Sequence, residues 1–252
     1  MIYRIALLIT AALLIALSGC EKTQEKPKQQ APQATTTQPT QLSEAEKEAI
    51  KAEAEKQALE YAKTLKGIER HYVFMSGKTP GIWSTVILMN YHQQPIPEAI
   101  QKFIENRHLP GMIETLDRKA GYMKTVCLGC ESTSFLTYWT NPGQPDLVAD
   151  VSRGCGPVCE DRITFYHAGP DGMTKLDTTS IIGKVTQEMF LAEGGDPNVF
   201  NQDAYELLFH LPQKGTSIRV TLDAGGPNFK GNCMDLLWNK GTFTQGPIKT
   251  CK

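Results

Sequence analysis

Six cysteines constrain this chain more than any other feature. They stand in three close groups: Cys127 with Cys130, Cys155 with Cys159, and Cys233 with Cys251. Thiols gathered this way pair as disulfides, hold a metal or exchange electrons, and each option demands different surroundings. In an oxidising compartment an even count reads as a disulfide framework. The expected pairing is local, Cys127–Cys130, Cys155–Cys159 and Cys233–Cys251, with a crossed arrangement of the first four as the main rival. Chain-entropy reasoning assigns roughly 2 kcal/mol to each of the two short loops and roughly 3 kcal/mol to the last.

The N-terminus speaks to the compartment. Residues 1–19 have the three parts of a secretory signal, with Arg4 as the positive region and Ile5 to Leu17 as an apolar run broken only by Thr10. A spanning helix needs about 20 apolar residues, so this run is short for a permanent membrane segment. Ser18 and Gly19 then precede the seventh cysteine. The stretch Leu17-Ser18-Gly19-Cys20 resembles the lipobox of bacterial lipoproteins. That resemblance implies cleavage before Cys20, acyl chains on Cys20 and a membrane partner reached through them. Several chains together hold firmly where one does not. In enterobacterial lipoproteins an Asp after the lipidated cysteine favours inner-membrane retention. Glu21 stands here, so the outer membrane is favoured over the inner one.

Residues 20–42 read as a tether. Glu21 to Leu42 contains six glutamines, three prolines and the run Thr35-Thr36-Thr37, with no apolar residue larger than alanine before Leu42. Such a segment buries too little surface to offset the entropy of ordering it. Treated as a flexible coil it reaches roughly 25 Å. Ser43 and Glu46 have capping-box spacing, with Leu42 in the staple position, and predict a helix over 43–66. Gly67 is placed just past its C-terminus. Ala54, Ala58, Tyr61, Leu65 and Ile68 form a stripe along its second half. The stripe predicts docking on the domain, with a short coiled coil as the sharper alternative.

Residues 67–252 are long enough for one sizeable core. The pattern predicts an α+β but mainly β domain: an antiparallel meander closed as a sandwich, barrel or curved sheet, with short peripheral helices. Trp83 to Tyr91 is dense in β-branched and aromatic residues and reads as a strand. Pro97 to Arg107 and Thr186 to Glu193 read as short helices. Tyr122–Val126 and Ser134–Thr140 flank a tight turn at Cys127–Cys130. Leu147–Val151 and Arg162–Tyr166 flank the second cysteine group, and His167–Gly172 is a turn. Tyr205–Leu211 with Ser217–Leu222, and Met234–Trp238 with Thr242–Thr244, read as hairpins.

Functional motifs are sparse. Cys127-Leu-Gly-Cys130 has the spacing of redox enzymes, and Cys155-Gly-Pro-Val-Cys159 looks like a thioredoxin CGPC with one residue inserted. Those enzymes set the pair at a helix N-terminus, however, and here the pair straddles a hairpin turn. The first four cysteines come close to a zinc spacing, with a longer gap than usual. Ser76-Gly77-Lys78-Thr79 lacks the earlier glycine of a P-loop, and Pro80 follows it. Asp196, Asn198, Asn201 and Asp203 only begin like a calcium loop. The histidines His71, His92, His108, His167 and His210 have no metal spacing. Asp223 to Asn228 is a glycine-rich loop suited to partner contact. The formal net charge is −1, and loss of residues 1–19 removes only Arg4, so no nucleic-acid partner is implied. No cofactor or metal is implied either. The leading expectation is a non-enzymatic envelope lipoprotein that presents a disulfide-stapled binding domain to a protein, glycan or envelope polymer. The alternative is an envelope thiol-disulfide oxidoreductase using Cys127 and Cys130.

Overall fold

The structure is a computed structural model that describes residues 42–105, 111–202, 205–223 and 226–251. The signal, Cys20 and the tether lie outside the described residues, as do His108 and Asp203. Residues 42–252 form one compact unit.

The unit opens with helix α1 (Glu44–Thr64). Ser43 caps it through the reciprocal box: its hydroxyl accepts from the Glu46 N–H, and the Glu46 carboxylate accepts from the Ser43 N–H at 2.8 Å. The first half of α1 is exposed, and Ala54, Ala58 and Ala62 in the second half are fully buried. These small side chains let α1 lie close against helices α3 (Ile82–Tyr91) and α4 (Glu98–Ile104), with Val86 and Ile100 completing the seam. The stripe expected to dock on the domain therefore meets two helices. Helix α2 (Gly67–Phe74) lies between them in the chain.

Two expectations fail in this region. Gly67 begins α2 rather than ending α1. Its φ of +55° turns the chain, and a Cβ there would sit 3.3 Å from the Tyr138 hydroxyl. Trp83 to Tyr91 is helix α3, not a strand. Thr85, Val86, Ile87, Leu88 and Met89 are all buried, because α3 touches α1, α2 and the sheet. Burial from several sides erases the polar face that marks a helical period, and the run then looks like a buried strand.

The remainder is antiparallel β, in two sheets. The first is a six-stranded meander of β1 (Gly111–Asp117), β2 (Tyr122–Cys127), β3 (Ser132–Trp139), β4 (Asp146–Cys155), β5 (Cys159–Gly169) and β6 (Gly172–Lys175), paired in chain order. Strand β5 runs to Gly169, so the predicted turn at 167–172 shrinks to Pro170 and Asp171. Helix α5 (Thr178–Ile182), a 3-10 turn at Gln187–Phe190 and α6 (Val199–Gln202) lead to the second sheet. The turn at Gln187–Phe190 stands where a longer helix over 186–193 is predicted. The second sheet is a meander of β7 (Leu207–His210), β8 (Ile218–Leu222), β9 (Cys233–Asn239) and β10 (Thr242–Gln245).

Strand alternation assigns the layers. Leu147, Ala149 and Val151 of β4, with Phe165 of β5, pack against Ile218, Val220, Leu222, Met234 and Leu236 of the second sheet. Val148 of β4, Leu136 and Met123 face the other way, against Ile68, Tyr72, Val73 and Leu88 of the helices. The six-stranded sheet is thus the middle of three layers. Trp139 helps to lock the sheets: its indole N–H donates to the Thr216 carbonyl at 2.8 Å, and its ring stacks on Trp238.

Candidate functional site

Helices α2 and α3 cover only part of the face they pack on. Toward the free ends of β2 to β5 the same face carries Thr125, Ser132, Ser134, Ser152, Gly154 and Arg162, of which Ser152, Gly154 and Arg162 are exposed. Short hydroxyl side chains leave a shallow floor. A groove of about 600 Å³ runs over it, bounded by Glu131, Val158 and Glu160.

Two disulfide-closed hairpin tips end this floor. Cys127 is bonded to Cys130 at the β2–β3 turn, and Cys155 to Cys159 at the β4–β5 turn, with Cα separations of 5.4 and 4.0 Å. The bonds join neighbours rather than crossing between tips. Cys155 N–H donates to the Glu131 carbonyl at 2.9 Å, so the two tips are also tied side by side. From them project Leu128 and Val158, 61% and 43% exposed, and Met112 beside Val126 on β1 is 46% exposed. Leucine and valine held outward on these closed turns expose apolar surface, and Glu131, Glu160 and Arg162 line the groove with Val158. The third bond, Cys233–Cys251, closes the C-terminal segment against β9, where Lys249 and Cys233 exchange backbone hydrogen bonds.

Cys130 is exposed, and the Ser132 hydroxyl lies 3.1 Å from its Sγ. The pair sits on a strand-to-strand turn, with no helix dipole to acidify a thiol. All four sulfurs of the zinc-like spacing are in disulfides. Among the described residues no group of three or more His, Cys, Asp or Glu side chains is placed to hold a metal ion.

The other candidates resolve into local roles. Ser76 donates its hydroxyl to the Thr79 carbonyl in the turn after α2. Asp196 accepts from the backbone and side-chain N–H of Asn198, an Asx turn. His210 pairs with Thr221 at 2.8 Å in a second groove, of about 650 Å³, where Asp235 is already engaged by Arg219 and Lys249. His71 is buried 3.3 Å from Asp146; burial pushes its pKa down, against the pull of the Asp146 carboxylate. In the glycine-rich loop, Ala224 and Gly225 lie outside the described residues.

The structure also gathers charges that spacing does not reveal. Glu69 of α2 is nearly buried, accepts two hydrogen bonds from Arg118 at 2.8 and 3.1 Å, and meets His92 Nε2 at 2.6 Å. Burial pushes the Glu69 carboxyl up, but the Arg118 and His92 contacts outweigh it and hold the group below its usual range. Arg153 of β4 makes a bidentate pair with Asp161 of β5, whose other neighbour is the Phe209 N–H of β7 at 2.7 Å. Asp150 lies mid-β4 with its Oδ1 unpartnered among the described residues, and burial lifts its carboxyl to about 7. A lone charge inside the apolar run Leu147–Val151, on the face that carries Val148, was the sequence signal for it.

Comparisons add little to this geometry. No family model matches the chain, and no curated protein matches it. A domain of an uncharacterized protein from Porphyromonas gingivalis W83 is similar over 72% of this chain and 98% of its own, at 11% identity and a TM-score of 0.45.

Proposed function

We propose that the chain is a lipid-anchored envelope protein whose disulfide-closed end binds a polypeptide partner. The anchor is Cys20, through the lipobox resemblance at residues 17–20, and the outer membrane is its expected address. The observation that carries the binding reading is the pair of rigid tips holding Leu128 and Val158 out into solvent. Each disulfide fixes its turn before any partner arrives, which lowers the ordering cost of binding. Among the described residues, the groove behind the tips offers hydroxyls, backbone and the charges of Glu131, Glu160 and Arg162 but no aromatic ring to stack on a sugar, which favours a polypeptide over a glycan.

A photo-crosslinking residue at Leu128, in the full-length precursor expressed in a Gram-negative host, tests both parts. The protein should fractionate with membranes and be released by Cys20→Ala. The crosslinker at Leu128 should give a discrete adduct that the same residue at exposed Lys214 does not. Membrane retention of Cys20→Ala would refute the anchor, and equal adducts at both positions would refute the tips.

The exposed Cys130 sulfur beside Ser132 favours one second reading, a thiol-disulfide enzyme. In it, reduced Cys127 and Cys130 pass two electrons to a substrate disulfide and themselves close to the disulfide, with a mixed disulfide between. Trapping of free thiols at lysis decides: a substantial reduced fraction of Cys127 and Cys130 supports this reading, and full oxidation counts against it.

A further inference from the structure

Asp150 has no part in the tips, the staples or the inter-sheet pairs. On β4 it lies in register between Leu136 of β3 and Thr164 of β5, on the helix-facing side. Its Oδ1 is sealed from solvent and has no hydrogen-bond partner among the described residues. It borders a cavity of about 140 Å³ walled by Tyr72 and Met75 at the end of α2 and by Met123, Thr125, Ser134 and Leu136 of the sheet. Ser134 is the register partner of Ser152, an exposed residue of the open groove, so cavity and groove adjoin at that pair.

We propose that this cavity binds a primary ammonium group carried on a short aliphatic stem. The site stands apart from the hairpin tips and does not rest on the partner reading. A buried carboxylate oxygen without a donor is costly, and a cation carrying N–H donors relieves both the charge and the missing hydrogen bond. The walls select what carries that cation. Met75, Met123 and Leu136 offer apolar contact to a methylene stem, and Tyr72 adds an aromatic wall of the kind that favours cations. The Thr125 and Ser134 hydroxyls are on hand for the remaining ammonium protons. Hard metal ions want six or more oxygens, which these walls do not supply. The volume is close to the ~150 Å³ of an engineered cavity that takes benzene, and a butylammonium ion is of similar size, with five heavy atoms to benzene's six. Drug-sized ligands, which need about 300 Å³ or more, are excluded.

Two sources share this chemistry, a free alkylamine and a lysine side chain on a polypeptide. Butylammonium is the lysine side chain without its backbone.

The test is a carbon-detected NMR titration of the Asp150 carboxyl in the folded domain. The probes are butylammonium, Nα-acetyl-lysine methylamide and, as the uncharged control, 1-butanol. Titratable groups that sense the Asp150 charge are Tyr72 of α2 and Tyr166 of β5, both pushed upward by burial, so they stay neutral over the range used. Butylammonium should lower the Asp150 midpoint by about two pH units or more at saturation. Its affinity should rise about tenfold per pH unit below that midpoint and level off above it. 1-Butanol should leave the midpoint in place. Asp150→Asn should abolish binding while unfolding cooperatively, and Leu128→Ser with Val158→Ser should bind as the parent does. Binding of the lysine derivative assigns the site to a chain-borne lysine. Its failure beside bound butylammonium assigns the site to free amines. An unmoved midpoint, equal binding to Asp150→Asn, or an equal response to 1-butanol would overturn the proposal.

Discussion

Asp150 is a carboxyl group whose fold works against its charge. An aspartate ordinarily ionises near 3.8, and burial lifts this one to about 7. The folded state therefore holds a proton that the unfolded chain has already released. The sign follows from linkage: Asp150 contributes stability in full below about pH 3.8, and that contribution is lost as pH rises toward 7. Asp150→Asn keeps the shape and removes the charge. At pH 8 it should stabilise the domain, by at most about 4 kcal/mol, and at pH 3 it should make almost no difference. Thermal unfolding of both proteins at the two pH values checks this; an equal gain at both would show that charge is not the cause. His71 works in the opposite direction. Burial lowers its pKa, so its neutral folded form contributes stability above the usual histidine range, lost as pH falls below about 6.5. Neither effect is visible in the sequence as a motif. Asp150 shows only as a polar letter in an apolar strand, and His71 as a single histidine in a helix.

Between elements, the Arg153–Asp161 pair fixes strand β5 to strand β7. The Asp161 side chain is fully buried, and it satisfies both the Arg153 guanidinium and the Phe209 N–H. Asp161→Ala strands a largely buried guanidinium and an amide on an edge strand at once. The expected loss is about 3–5 kcal/mol, read from denaturant unfolding; a loss below about 1 kcal/mol would mean that this pair does not help to hold the sheets together. The hairpins that this pair helps to position were legible in the chain. Alternation in β3, β4 and β8, and turn residues such as Asn239-Lys-Gly241, mark strands locally, and the meander follows from short connections. What was not legible depends on neighbours. Helix α3 is surrounded and so shows no polar face. Helix α2 follows α1 after a two-residue break at Leu65 and Lys66 that reads as a terminus. Strand β1 carries a register shift between Ile113 and Thr115, which breaks its alternation. Glu69, His92 and Arg118 meet only after α2, α3 and the end of β1 are packed.

At the scale of the whole unit, two of the disulfides sit at hairpin tips and the third is rooted at buried Cys233, while the main core lies between the layers. Residues 42–252 bury two large apolar clusters on either side of the six-stranded sheet, and a unit of that length does not need staples to fold. The bonds act locally. Those at the tips close loops too short to reorganise the chain, and Cys233–Cys251 holds the segment after β10 against β9. Replacing Cys127 and Cys130 together by serine should cost roughly 2 kcal/mol in the chain-entropy model, and replacing Cys233 and Cys251 roughly 3 kcal/mol. For a domain of this size those losses correspond to about 4–8 °C and about 6–12 °C in Tm. Both variants should still unfold in one cooperative step with unchanged far-ultraviolet circular dichroism. The Cys127/Cys130 variant should nevertheless lose partner capture at Leu128, because a flexible tip must be ordered on binding. If that variant instead fails to fold, the tips carry the core rather than ride on it. If it folds and captures the partner undiminished, rigidity is not what the bond supplies to binding.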